Sequence, residues 1–310
     1  VVDEIMVTVT PLLSGGEKAP TLVEGPEPLG SPFLALELLS CRQDAGGEIF
    51  THSGFNMRNS MHKQELAILF SGGTDSLALY ALATAGHHPD LPRPRRLHLL
   101  NMLNGMGRFP DFTRNRYEVA RNLLARRVPD SMEIPASYLV ELDMGRLFQG
   151  LWLDRYEEFM PRYGGKNLVC VACKLAMHIR AVLYCNEHLI PTVVAGYTKK
   201  QSHYPEQTPV FMEKIAKFSA RFGVAARYPV YDDFAEQMTT RHLLEDFGLP
   251  STGGGERKCL FSQTLTTATE KEIGLYLDDM IPRAQEYIEC VQDGRIADAA
   301  RCFPPGNLVK

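Results

Sequence analysis

The stretch Leu66-Ala67-Ile68-Leu69-Phe70-Ser71-Gly72-Gly73-Thr74-Asp75-Ser76-Leu77 constrains the fold more than any other part of the chain. Leu66 to Phe70 is an apolar run the length of a buried strand in a parallel sheet. It stops at small and polar residues, and Leu77, Leu79, Tyr80, Leu82 and Ala83 then supply the apolar face of a helix. The predicted order is strand, tight loop, helix. Gly72 and Gly73 carry no side chain and tolerate positive φ, so the backbone can come close to a ligand. The loop amides and the helix N-terminus then aim at one spot, which suits an anion such as a phosphate. No Gly-Lys-Ser/Thr follows, so the loop is not of the kinase type.

The alternation continues along the chain. Residues 95–102, 138–142, 191–195 and 224–230 read as strands. Residues 113–128, with Thr113 as N-cap, read as a helix, as do 146–162, 210–222 and 239–247; the second of these carries the single tryptophan, Trp152. A further helix begins at Cys170-Val171-Ala172-Cys173-Lys174, with Leu175, Ile179, Val182 and Leu183 as its buried stripe. Strand-helix alternation over 61–250 predicts an α/β fold, a doubly wound parallel sheet with helices on both faces. Residues 1–60 form a small N-terminal extension in this reading, strand-like over 1–9 and a strand or helical turn over 33–39. Residues 251–310 form a C-terminal helical segment with a long helix over 270–292. Ligands bind at the carboxyl ends of such strands, where Asn101 to Asn104 and Gly196 fall.

With 45% hydrophobic and 23% charged residues, the chain has the balance of an ordinary globular protein. It shows no uninterrupted apolar run of membrane-spanning length and no signal-peptide pattern, so no membrane association and a cytoplasmic location are expected. Seven cysteines without a regular framework point to reduced thiols or metal ligands, not to a disulfide scaffold. The net charge of −4 hides a basic stretch: Arg93 to Arg127 holds nine arginines against Asp111 and Glu118, a local excess of 9 − 2 = 7. Such a stretch is either a solvated face or a seat for a phosphate-bearing partner, a small molecule or RNA.

Cys170 and Cys173 open a helix, where amides and dipole favour thiolate, and Cys259 follows Cys173 by 259 − 173 = 86 residues. Read from the residues alone, the three sulfurs fit an iron-sulfur cluster, a structural zinc site completed by His178 or His203, a persulfide pair with a resolving thiol, or no shared site.

Ser-Gly-Gly-Xaa-Asp-Ser at 71–76 resembles the PP-loop of the N-type ATP pyrophosphatases. Cys170, Cys173 and Cys259 resemble the three-cysteine arrangement of the sulfur-inserting branch that holds a 4Fe-4S cluster. That branch includes the tRNA 2-thiolation enzymes and the sulfur insertases of the nickel-pincer nucleotide cofactor. The resemblance covers residues 64–290 as motif order and implies an adenine nucleotide alpha-hydrolase-like fold. It implies that Ser71, Gly72, Gly73, Thr74 and Ser76, with Asn101 and Gly196, hold ATP, and that Asp75 holds Mg2+ or orients phosphates. It further implies that the three cysteines ligate the cluster and that Lys174 and Arg257 neutralise substrate or pyrophosphate.

The implied activity is that of an ATP-dependent sulfurtransferase, which adenylates a substrate oxygen, releases pyrophosphate and inserts sulfur. The sulfur would come as sulfide or from a cysteine desulfurase, and the acceptor would be a phosphate-bearing small molecule or tRNA. One departure stands out: Gly-x-Asn-x-Asp-Asp of many relatives is Gly196-Tyr197-Thr198-Lys199-Lys200-Gln201 here, without its acids. An amide- or nitrile-forming ligase with structural zinc and a non-catalytic nucleotide-binding module are the competing readings. A homodimer through the surface at Met280-Ile281 is a further expectation.

Overall fold

The computed structural model divides into two compact units, Val1–His62 and Lys63–Lys310. It describes residues 4–9, 36–43, 49–55, 65–91, 94–107, 111–127, 134–164, 166–234, 237–250, 259 and 267–304. Arg93, Arg108 and Arg257 lie outside these. The first unit is an antiparallel sheet of β1 (Glu4–Val9), β2 (Leu36–Gln43) and β3 (Ile49–Phe55) in the order β1-β3-β2. The stretch at 33–39 thus contributes to a strand. The sequence does not announce the central β3, because Thr51, His52, Ser53 and Gly54 break the apolar alternation.

The second unit is a five-stranded, all-parallel sheet in the order β6-β5-β4-β7-β8: β4 (Glu65–Leu69), β5 (Arg96–Leu103), β6 (Ala136–Asp143), β7 (Thr192–Ala195) and β8 (Ala225–Arg227). The helices are α1 (Thr74–Ala85), α2 (Phe112–Arg127), α3 (Gly145–Leu151), α4 (Tyr156–Tyr163), α5 (Leu168–Glu187), α6 (Pro209–Ala220), α7 (Gln237–Asp246), α8 (Glu270–Gln292) and α9 (Ile296–Cys302).

Alternating side chains of the buried strands enter two cores. Leu66, Ile68, Leu97 and Leu99 pack with Leu77 and Leu79 of α1, Tyr117 and Leu124 of α2 and Leu244 of α7. Ala67, Leu69, Leu100 and Met102 pack on the other face with Phe148, Phe159, Leu175, Phe211 and Leu277. Each large apolar side chain buried this way contributes about 1.5–3 kcal/mol. The sheet is therefore doubly wound, with helices on both faces.

Several local expectations give way to tertiary packing. The helix expected over 146–162 breaks at Trp152, whose backbone (φ −146°, ψ −57°) leaves the helical region, and a 3₁₀ turn over Leu153–Arg155 joins α3 to α4. The break lets the indole pack edge-on against Tyr276 and beside Phe159, with ring centroids 5.6 and 5.7 Å away. β8 is three residues long, not seven. α5 is long and apolar enough to cross a membrane by length and composition, unlike the sequence expectation, but 67% of its most apolar window is buried inside the protein as a core helix. Met280 is buried, and Ile281 is half-buried against the same core.

Candidate functional site

β4 is hydrogen-bonded to β5 on one side and β7 on the other, so the winding direction reverses there and a crevice opens at the carboxyl ends of β4 and β7. The loop after β4 enters it. Gly72 has φ +74°, and a Cβ there would come 3.1 Å from Thr113 Cα and 3.2 Å from Arg116 Cβ. The loop is braced from α2. Thr113 Oγ1 donates to the Ser71 carbonyl at 2.9 Å instead of capping its helix, and Arg116 donates to the carbonyls of Gly72 at 3.2 Å and Pro250 at 3.1 Å. Within the loop, Ser76 Oγ donates to the Gly73 carbonyl at 3.0 Å and lies 3.3 Å from Ser71 Oγ. Gly196, just past β7, faces α1 so closely that a Cβ would lie 3.0 Å from Asp75 C and O.

A cavity of about 460 Å³ opens from this crevice, a volume in the range of small-molecule sites. Ser71, Gly73, Thr74, Asp75, Ser76 and Gly196 line it, and so do Cys170, Cys173, Lys174 and Cys259. Two expected ligand residues stand elsewhere: Gly72 faces α2, and Asn101 is buried while Met102 and Asn104 reach the wall.

Cys170 and Cys173, three residues apart, share one face of the first turns of α5. Cys259 is held by an isolated antiparallel bridge to Gly107, beyond β5. None of the three is in a disulfide among the described residues. Burial pushes the Cys170 and Cys173 thiols up, against the expectation from the helix start, because removal from water outweighs the first-turn amides. The Asn104 amide, which donates to Cys173 Sγ at 3.4 Å, and the charge of Lys174 partly offset this for Cys173.

Among the described residues, no three His, Cys, Asp or Glu side chains converge as a site for a metal ion. This bears on the zinc reading and on the three-cysteine cluster alike. His178 is buried and pairs with Tyr197 Oη at 3.2 Å, and burial lowers its pKa to about 3. His203 is exposed and lies against the Tyr204 ring. Three soft sulfur donors on a common wall match an iron-sulfur cluster in donor chemistry, since a cluster distributes its cysteines over different irons.

Other wall residues escaped the sequence reading. Glu206, buried, has its Oε2 without a hydrogen-bond partner among the described residues, and burial raises its carboxyl pKa against the pull of Lys174. Lys174 Nζ stands 5.4 Å over the Tyr197 ring, which stacks on Tyr228. Gln201 and Gln207 also reach the cavity. The segment Lys199-Lys200-Gln201 was a signal only as a departure, and its partner Asp75 lies 125 residues from Lys200.

Of the seven described arginines of the basic stretch, four are engaged with protein groups: Arg96 with Glu65, Arg114 with Glu141, Arg116 with the loop carbonyls and Arg127 with the Asp246 carbonyl.

No protein family matches the chain, and no curated protein matches it. Solved structures similar to it include the U34-tRNA thiolase NcsA from Methanococcus maripaludis with its 4Fe-4S cluster. That match has 12% identity over 82% of this chain and 84% of the other, with a TM-score of 0.37. A likeness this distant assigns no function.

Proposed function

We propose that the protein is an ATP-dependent sulfurtransferase that adenylates an acceptor oxygen, releases pyrophosphate and replaces that oxygen with sulfur. The observation that carries this reading is that the phosphate-type loop 71–76 and the three thiols line the same cavity. Oxygen bound to carbon is a poor leaving group, and adenylation makes it a good one. The amides of the loop and of the first turn of α1 hold the nucleotide phosphates, and Gly196 lets the β7 end close on that turn. Lys174 stands on the wall beside the thiols and offsets negative charge on the acceptor or on departing AMP. A 4Fe-4S cluster on Cys170, Cys173 and Cys259 would leave one iron without a protein ligand and supply a site for inorganic sulfide. The described cysteines form no disulfide, which suits a reducing, cytoplasmic compartment.

The acceptor in this reading is a phosphate-bearing small molecule. Four of the seven described arginines of the basic stretch are already engaged with protein groups, which leaves fewer for a nucleic-acid backbone and supports this reading over tRNA.

Anaerobic purification followed by iron and sulfide analysis tests the proposal. About four irons per chain are expected, and Cys259→Ala should lose both iron and sulfur insertion while retaining nucleotide binding. Iron-free protein whose sulfur insertion is unchanged in Cys259→Ala would overturn it. A gel shift with bulk tRNA at two salt concentrations separates the acceptors: strong, salt-sensitive binding would make tRNA the acceptor in place of the small molecule.

A further inference from the structure

Asp75, on the wall of the nucleotide end of the proposed reaction, is already satisfied by the protein. Its Oδ1 accepts from Lys200 Nζ at 2.6 Å and from Thr240 Oγ1 at 3.3 Å, and its Oδ2 accepts from Gln201 Nε2 at 3.3 Å. Lys200 Nζ also donates to Thr240 Oγ1 at 3.0 Å, which closes a triangle. Gln201 is fixed in turn, because its Oε1 accepts from Gln207 Nε2 at 2.6 Å and Gln207 Oε1 accepts from the Thr198 N–H at 2.9 Å. The ion pair is shielded, with side-chain exposures of 15% for Lys200 and 12% for Asp75.

The magnesium that the PP-loop resemblance assigns to Asp75 does not fit this arrangement. A divalent cation on that carboxylate would sit against the Lys200 ammonium or have to displace it, and Mg2+ accepts only near-ideal octahedral coordination. A bare carboxylate beside an anion-binding loop would repel phosphate, and the ammonium behind Asp75 cancels that charge. We propose that Lys200 is a positioning residue that takes the place of an Asp75-bound divalent cation, so that nucleotide binding at this loop does not depend on a metal held by Asp75. This rests on the nucleotide reading given above.

Calorimetric titration of the full chain with α,β-methylene ATP, in EDTA and in excess Mg2+, tests it. Wild-type affinities in the two buffers should agree within about threefold. Lys200→Met uncovers the carboxylate, so its affinity in EDTA should fall by about tenfold or more and recover in Mg2+. Lys200→Arg should behave as wild type. The double variant Asp75→Asn/Lys200→Met removes both charges and keeps the test open if Lys200→Met fails to fold; it should bind without a response to Mg2+. Wild-type binding that collapses in EDTA and loses its Mg2+ response in Asp75→Asn would make Asp75 a magnesium ligand and overturn the inference. Wild-type protein that binds the analogue in neither buffer would overturn the nucleotide reading itself, and the inference with it.

Discussion

Asn104 donates its side-chain amide to Cys173 Sγ at 3.4 Å, while its own carbonyl oxygen is fixed by the Met106 N–H at 2.9 Å. The amide therefore cannot turn away from the sulfur without losing a second bond. Burial raises the Cys173 thiol, and this contact is the first influence that opposes it. A hydrogen bond to a charged sulfur is worth about 1.5 kcal/mol, so Asn104→Leu should make the thiolate about tenfold scarcer. Alkylation of Cys173 in metal-free protein, followed by mass spectrometry at fixed pH, measures this. An unchanged rate would show that the contact has no influence on the sulfur.

Gly196→Ala should disturb the nucleotide end without touching the thiols. The added Cβ would lie 3.0 Å from Asp75 C and O and 3.2 Å from Ser76 N, all backbone atoms that cannot rotate aside. Overpacking of this kind costs about 2 kcal/mol, or about 6 °C in Tm for a unit of this size. Nucleotide affinity should fall while iron content per folded chain is retained. A melt and titration indistinguishable from wild type would mean that the β7 end yields freely.

The sheet was legible wherever one residue pattern met no strong competitor. Leu66 to Leu77 switches from strand to helix periodicity within a dozen residues, and that order appears in the structure. Thr113 carries a helix-capping signal, but its hydroxyl finds the Ser71 carbonyl instead. Trp152 fits a helical pattern, yet the aromatic cluster around Tyr276 outweighs the helix. The place of Cys259 depends on a bridge to Gly107, 152 residues earlier by 259 − 107, and no local pattern encodes such a contact. The Asp75-Lys200 pair is illegible for the same reason: sequence shows a missing acid but not the partner of the base that replaces it.

The start of α8 should give a resolved acid dependence. Thr269 Oγ1 accepts from the Glu272 N–H at 3.3 Å, Glu272 accepts from the Thr269 N–H at 2.7 Å, and Lys166 Nζ donates to both Glu272 oxygens. The lysine and these hydrogen bonds lower the Glu272 carboxyl from 4.5 to about 2. A depressed carboxyl contributes stability that is present above its ordinary value and lost as pH falls through the folded one. Glu272→Gln should therefore be less stable than wild type at neutral pH, and the gap should close between pH 4.5 and about 2. Thr269→Ala, which removes the cap itself, should cost about 1 kcal/mol. Urea denaturation across this range measures both, and a gap independent of pH would refute the assignment.

Glu206 should show the opposite sign. Its carboxyl is raised chiefly by burial, with Lys174 pulling it down, and its Oε2 has no hydrogen-bond partner among the described residues. The folded state therefore holds the proton more tightly than the unfolded chain. Its stabilising contribution is complete below the ordinary carboxyl value and is lost as pH rises through the raised one. Glutamine has no proton to lose, so Glu206→Gln should melt close to wild type at about pH 4 and above it at about pH 8. Because Glu206 lines the cavity beside Cys170 and Lys174, the proposed sulfurtransferase activity predicts that the more stable variant inserts sulfur more slowly, a trade of function for stability. Melting curves of metal-free protein across that interval decide the first part. A constant offset between the two proteins would mean that Glu206 is equally solvated in the folded and unfolded chains.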